Sequence, residues 1–290
     1  MVTGSGDVGS AVAVVLHRAG FAAIISDEID PPWPRRGMAF TDAWYVGQAE
    51  LENVTAVFCS SVKSVPAVVH NQRLVAATTW SWAGVASALG AVGVVDARMN
   101  KRGEGDDLRG RAPPGVLTIG IGPGFVAGGN VDLAIESAWG ERLGALVASG
   151  PTTALAGEPK ELGGAGRERF VYAPRAGRFA TSRRIGEDVA LRQVVGAIGN
   201  DAILAPLDGV LRGLAANGAR VGEGAKIVEV DPRGDPSACF GLAERPRTIA
   251  EGVLAALSGR GVVAGASDAP FVERWHPPAS DDAWPARPHE

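Results

Sequence analysis

Two stretches of this sequence carry residues whose types and spacing could hold an anion. The first runs from Gly93 to Gly129 and reads Gly93-Val-Val-Asp96-Ala-Arg98-Met-Asn-Lys101-Arg102, then, after a polar excursion, Gly115-Val-Leu-Thr-Ile-Gly120-Ile-Gly122-Pro-Gly124-Phe125. Two short apolar runs bounded by Gly and Pro have the length and composition of buried strands. One delivers an acid, Asp96, and three cations, Arg98, Lys101 and Arg102; the other delivers Gly120, Gly122 and Gly124. Loops that follow parallel strands share one edge of a sheet, and glycines there let backbone N–H groups approach phosphate closely. The chemistry implied is an anion held between a cationic turn and a glycine nest. Asp96 would hold an arginine in place or meet a ligand hydroxyl. Two core strands with ordinary turns are the plain alternative.

The second stretch opens the chain, with Gly4, Gly6 and Gly9 in the spacing of a dinucleotide-binding loop. A helix to about Arg18 comes next and stops at Gly20; Phe21–Ile25 reads as the next strand, and Asp27 stands where an acid meets ribose in NAD-type sites. Asp7 sits inside the phosphate loop, where its charge opposes pyrophosphate unless it is paired. Pro31-Pro-Trp-Pro-Arg35-Arg36 is too proline-rich for a helix and reads as an extended loop. Arg35 and Arg36 are candidate clamps, because guanidinium forks bind phosphate and carboxylate bidentately; a solvated turn is the alternative.

Asp96-Ala-Arg98-Met-x-Lys101-Arg102 followed by Gly120-Ile-Gly122-Pro-Gly124-Phe125 resembles the YqeB-type accessory-protein family of selenium-dependent molybdenum hydroxylases. The resemblance covers roughly residues 3 to 257, with Gly-x-Gly-Asp7, Arg35-Arg36, Gly37-Met-Ala-Phe40, Glu136-Ser-x-x-Gly140 and Asp231-Pro-Arg233-Gly234 as further matches. Where that family carries His after the last glycine of the fourth motif, Glu141 stands here. The resemblance implies a Rossmann-like maturation factor, with a molybdenum hydroxylase apoenzyme as partner. NAD(P) or a molybdopterin-type nucleotide is the cofactor to consider.

The elements that must position these residues form an α/β chain, a Rossmann-like, mostly parallel sheet over residues 1–155. Val54–Cys59 reads as a strand, with Ser60-Ser61 capping the next helix. Leu74 to Val95, 22 residues without a charge, divides into strand (Leu74–Thr79), helix (Ser81–Gly90) and strand (Val92–Val95), because Thr78-Thr79-Trp80-Ser81-Trp82 would sit mid-membrane otherwise. Val131 to Trp139 reads as a helix. Pro151 to Gly166, rich in Gly, Pro and Ala, is the natural boundary.

Beyond it, residues 166–235 contain a repeat at an offset of 32. Ala173-Pro174-x-x-Gly177 returns as Ala205-Pro206-x-x-Gly209, Gly186-x-x-Val189 as Gly218-x-x-Val221, and Val195-x-x-Ile198 as Ile227-x-x-Val230. Two such halves resemble the biotinyl/lipoyl-like β barrel-sandwich module, with Gly199-Asn-Asp-Ala202 as the connecting turn. No Lys occurs between Glu161 and Ala225, which excludes a covalent swinging arm and leaves a docking or lid module. Residues 240–258 contain a helix, from Arg247 to Leu257, that returns to the first domain, and residues 261–290 read as a disordered tail.

The bounds are those of an ordinary globular protein: 290 residues, 46% hydrophobic and 21% charged, with a net charge of −4 that makes no case for nucleic acid or an anionic membrane. Glycines break the first ten residues, so no signal peptide is expected. Cys59 and Cys239 lie in no metal spacing, Cys59 reads as a buried small hydrophobe, and two cysteines fit a reducing cytoplasm. His17, His70, His276 and His289 form no metal or triad spacing, and no Gly-x-Ser-x-Gly elbow occurs. Three functions stay open: a maturation factor binding an anionic small molecule, an NAD(P)-dependent oxidoreductase lacking an obvious proton-transfer pair, and a non-catalytic docking scaffold. Homo-oligomer formation also stays open.

Overall fold

A computed structural model describes residues 1–70, 74–99, 105–154 and 159–265, with the side chains of Val62 and His70 left aside. Among the described residues, the first 151 hold eleven strands. They are β1 (Val2–Thr3), β2 (Ile24–Ser26), β3 (Gln48–Leu51), β4 (Val54–Phe58), β5 (Leu74–Thr78), β6 (Gly93–Asp96), β7 (Leu117–Ile121), β8 (Val126–Ala127), β9 (Leu133–Ile135), β10 (Leu146–Val147) and β11 (Gly150–Pro151). Nine of them form one sheet in the order β10-β9-β7-β6-β1-β2-β5-β4-β3, while β8 and β11 pair separately. All neighbours from β9 to β4 are parallel, and only the two edge strands, β3 and β10, run antiparallel. The chain order reverses at β1, which has β2 on one side and β6 on the other. Ligand crevices open at such switch points, beyond the carboxyl ends of the strands.

Helices α1 (Asp7–Arg18), α2 (Ala43–Val46), α3 (Val65–His70), α4 (Trp82–Ala88), α5 (Leu108–Arg111) and α6 (Glu244–Gly259) accompany the sheet. Successive strand residues serve opposite faces. Ile25 and Val95 pack with α1 and α6 through Val12, Ile249 and Val253, whereas Ile24 and Val94 pack towards α3 and α4 through Val65, Trp82 and Val85. Burial on both faces is why these strands read as continuous apolar runs. The uncharged stretch from Leu74 accordingly divides into β5, α4 and β6, with Ser81 Oγ capping α4 by accepting from Gly84 N at 3.4 Å. No helix among the described residues is long and apolar enough to cross a membrane.

The sequence pattern misreads residues 131–139, which are no helix. Leu133–Ile135 is β9, parallel to β7, and Asp132 ties the strand in by accepting from Thr118 N (2.9 Å) and Thr118 Oγ1 (2.7 Å). A three-residue strand buried on both faces has no alternation to distinguish it from one helical turn.

After the boundary come β12 (Phe170–Tyr172), β13 (Gly177–Ala180), β14 (Asp188–Val189), β15 (Val194–Ile198), β16 (Asp201–Leu204), β17 (Gly209–Leu214), β18 (Arg220–Val221) and β19 (Lys226–Asp231). The offset of 32 carries the first residues of β13, β14 and β15 onto those of β17, β18 and β19. The strands form two sheets, β12-β19-β17-β14 and β16-β15-β13-β18, so each half supplies two strands to each sheet. Neither half can bury its apolar side alone; Phe179 and Ile198 of one close the core with Leu211, Leu214 and Ile227 of the other. Gly199-Asn200 makes the turn between halves, with Gly199 at φ +59°. The sixteen-residue α6 then returns to pack against α1.

Candidate functional site

The first glycine loop is built by close contacts at two of its glycines. Gly4, at φ +95°, lets the segment after β6 pass over it: a β-carbon there would lie 2.9 Å from Arg98 Cα. At Gly9 a β-carbon would come within 1.9 Å of the Gly4 carbonyl oxygen, so this glycine sets how closely α1 sits on the turn. Gly6 differs, since a β-carbon there would reach only van der Waals distance, 3.5 Å, from the ring of Trp33. Asp27 lies beside the loop. Its Oδ2 accepts from Ser5 N at 2.5 Å and from Trp33 Nε1 at 2.6 Å. The acceptor that would meet ribose in a dinucleotide pose is thus engaged by the chain's own backbone and indole, with the Trp33 ring against Gly6.

The strap that carries Trp33 is fixed at both ends. Tyr45 Oη donates to Pro31 O at 2.9 Å, and Leu214 N donates to Pro34 O at 2.7 Å. Arg35 comes next and closes an ion network between loop and β-module: Nη1 lies 2.9 Å from Asp7 Oδ2, and Nε lies 2.7 Å from Glu229 Oε2. Glu229, wholly buried on β19, also faces Arg169 at 3.3 Å and Arg212 at 3.8 Å. Burial works against charge at Asp7 and Glu229, yet Arg35 outweighs it by attraction and hydrogen bonding and holds both carboxyls below the usual carboxylate range. Asp7 is therefore paired, the condition its place in the loop requires. Arg36 turns away, donating to Leu214 O at 2.8 Å and pairing with Asp42 at 2.5 Å. Neither arginine stands as a free clamp.

At the second stretch, the parallel registers place Asp96 beside Gly120 and Thr3, so the loops after β1, β6 and β7 share one edge. Arg98 folds back on Asp96 through its own N–H, Nε and Nη2, and pairs with Asp106 at 2.5 Å. Arg233 makes the same Asp-x-Arg staple with Asp231 at the end of β19. Of the two readings of Asp96, this geometry takes the one in which it holds an arginine. Lys101 and Arg102 lie outside the described residues, but the segments on either side approach the glycine nest. A β-carbon at Gly122 would lie 3.5 Å from Met99 Cε, and Gly105 N donates to Gly124 O at 2.9 Å. Gly120 is a glycine because Phe125 folds over it, 2.1 Å from where its β-carbon would be. Gly122 and Gly124 have φ of +81° and +92°, and the Gly122 N–H is spent on Ile135 O at 3.0 Å.

Several residues at this edge escape the sequence reading. Glu136, at the end of β9, accepts from the N–H groups of Ser137, Ala138 and Thr153 at 2.7, 2.9 and 2.8 Å, which shapes the loop beyond. Ser137 lies against Gly122 and, through its carbonyl, accepts from Arg245 Nε at 2.9 Å. Arg245 is missed because the helix reads as starting at Arg247; Pro246, a residue tolerated in a first turn, was the available signal. Glu229 is invisible because strand alternation is silent about a buried acid whose partners lie 60 and 194 residues away. A concavity of about 560 Å³ opens at the opposite edge, near Leu117, Asp132 and Arg260. Its Arg109–Asp132 pair, at 3.3 Å, is part-exposed, and the glycine loops and buried charges lie elsewhere.

The fold and site define an α/β protein whose parallel sheet gathers glycine loops and paired charges at its carboxyl edge, joined through Arg35 to a two-sheet β-module. No family model matches the chain. Over 258 residues it is 33% identical to the uncharacterized protein YqeB of Escherichia coli (strain K12), a match that covers 89% of this chain and 47% of that protein. Over that stretch the chain is of the YqeB type, and it spans about half the length of the curated relative it matches. A crystal structure of succinylglutamate desuccinylase/aspartoacylase from Rhodobacter sphaeroides overlaps 28% of this chain and 29% of that one, at 26% identity and a TM-score of 0.20.

Proposed function

We propose that this chain is an accessory factor in maturation of a molybdenum hydroxylase, selenium-dependent or not, and that it holds an anionic nucleotide-type ligand at the carboxyl edge of a Rossmann-like sheet. The partner comes from the YqeB-type resemblance. The site rests on one observation: the loops after β1, β6 and β7 converge on a single edge beside the point where strand order reverses. The β-module, whose halves interleave between two sheets, we read as a biotinyl/lipoyl-like barrel sandwich that serves as the docking element. Two free, buried cysteines fit a cytoplasmic setting. The oxidoreductase reading draws less support, because Trp33 and Ser5 already engage Asp27.

The test is to purify the full chain natively from a host that makes a molybdenum hydroxylase. Co-purification of the hydroxylase apoenzyme, and release of a phosphate-bearing nucleotide seen by mass spectrometry, is expected. A chain that brings down no hydroxylase and releases no such ligand refutes the proposal. Titration with NADH should leave the nicotinamide spectrum unchanged; a saturable change would favour the oxidoreductase.

A further inference from the structure

The cations at the carboxyl edge divide into two kinds. Arg35, Arg36 and Arg98 each lie within 3 Å of a carboxylate. Arg245 does not: its Nε donates to Ser137 O at 2.9 Å, and it makes no ion pair with a carboxylate among the described residues. Asp7 attracts it from further off but is itself taken by Arg35, and Arg35 repels it. Burial and that repulsion outweigh the attraction and lower the pKa of Arg245. A guanidinium half withdrawn from water without a counter-ion is a costly arrangement that a bound anion would relieve.

The surroundings suit an anion. Ser137, whose carbonyl holds Arg245, presses its side chain against Gly122, and Met99 approaches the same glycine. Helix α6 starts from Ala243 without a side-chain cap, so its first N–H groups are not spent on a capping side chain.

We infer that Arg245 is the residue that receives a phosphoryl group, its Nη1 and Nη2, which make no hydrogen bond among the described residues, forming the fork, with Ser137 and the Gly122 turn as the floor. This deepens the proposed function, on which it rests, by moving the anion's seat from the first glycine loop to the junction of α6 with β7 and β9. The ligand class is a phosphate ester or pyrophosphate, which matches the two remaining donors of the fork better than a single point charge would.

The experiment uses the full chain and calorimetric titration with inorganic pyrophosphate, ADP and, as a carboxylate control, citrate. Wild type should bind pyrophosphate and ADP in a salt-dependent way, and citrate more weakly. Arg245→Gln should weaken pyrophosphate about tenfold or more, the range for charge-assisted hydrogen bonds. Arg245→Lys, which keeps charge without the fork, should fall between, and Arg260→Gln at the opposite edge should match wild type. Without ligand, Arg245→Gln should keep or raise the thermal midpoint, because it removes a cation that pairs with no carboxylate among the described residues; a structural arginine would lower it. Equal pyrophosphate affinity in wild type and Arg245→Gln overturns the inference, as does absence of binding to wild type at millimolar ligand, or citrate binding as tightly as pyrophosphate. Intact, Arg245-dependent pyrophosphate binding with no hydroxylase partner would instead refute the function and leave this site standing.

Discussion

Replacing Glu229 with Gln removes a charge from the centre of the network while keeping the side chain's shape. Glu229 is fully buried and faces three guanidinium groups, of Arg35, Arg169 and Arg212. The three are not equally dependent on it. Arg35 would keep Asp7 at 2.9 Å, and Arg212 would keep Asp231 at 3.2 Å. Arg169, with a side chain 3% exposed, would keep, among the described residues, the carbonyls of Ala165 and Gly166 and the ring of Phe170 but no carboxylate. Losing one partner of a buried pair costs about 3–5 kcal/mol, and since two of three arginines keep a carboxylate, the lower end, about 3 kcal/mol, is expected. For a chain of this size that is a fall of roughly 6–12 °C in the thermal midpoint.

Urea unfolding followed by circular dichroism, with the thermal midpoint alongside, would measure it. Arg169→Met should destabilise as well, but combined with Glu229→Gln it should cost less than the two single changes added, because the double variant buries neither uncompensated charge. A Glu229→Gln protein within about 1 kcal/mol of wild type would show that the buried network is not held by charge, since even an ordinary neutral hydrogen bond contributes that much. Strict additivity in the double variant would refute the pairing of Glu229 with Arg169.

The glycines of the first loop should separate by role. Gly9→Ala forces a β-carbon to within 1.9 Å of the Gly4 carbonyl and should cost about 2 kcal/mol or more in urea unfolding, while Gly6→Ala, facing the Trp33 ring at 3.5 Å, should stay within about 1 kcal/mol. Stability should also fall in acid. Asp7, Glu229, Asp231 and Glu136 have folded pKa values below their ordinary ones, because arginines or backbone N–H groups outweigh burial. Their contribution is complete above the unfolded range of about 4 and is lost as pH falls through the lower folded values. The thermal midpoint should thus be flat near neutrality and drop steeply below about pH 4; Glu229→Gln should show a shallower drop, and an identical drop would remove Glu229 from the cause.

The repeat at 32 residues was legible because a fold built from two interleaved halves demands the same turn at the same place twice. Gly177 and Gly209, and Val189 and Val221, answer that demand. Loop, helix and strand around Gly4 were legible because Gly4 and Gly9 meet backbone that no side chain could accommodate. The partners of the charged residues were not. Arg35 reads as a clamp for a ligand because a guanidinium after a proline-rich loop carries no mark of the carboxylate, 194 residues on, that it will meet. Asp96-Ala-Arg98 allows both an acid that holds an arginine and one that meets a ligand; only the folded staple, two residues long, shows that the two are spent on each other.

That distinction changes where an anion can go. A carboxylate in a phosphate-binding loop opposes phosphate, and Asp7 is tolerated because Arg35 lies 2.9 Å away. Arg35 is held in turn by Glu229, and the strap that delivers it is tied to β17 through Pro34 and to Asp27 through Trp33. The elements that neutralise the first loop therefore also cover it. A phosphate entering there would have to displace an indole from Asp27 and compete with Asp7 and Glu229 for a single guanidinium. On the other side of β1 no such displacement is needed. At the start of α6, Ser137, whose side chain lies against Gly122, holds by its carbonyl a cation that no carboxylate among the described residues satisfies. Charge left unpaired at the carboxyl edge of a parallel sheet is the feature that an anionic ligand would complete, and here it belongs to Arg245 rather than to the arginines that the motifs display.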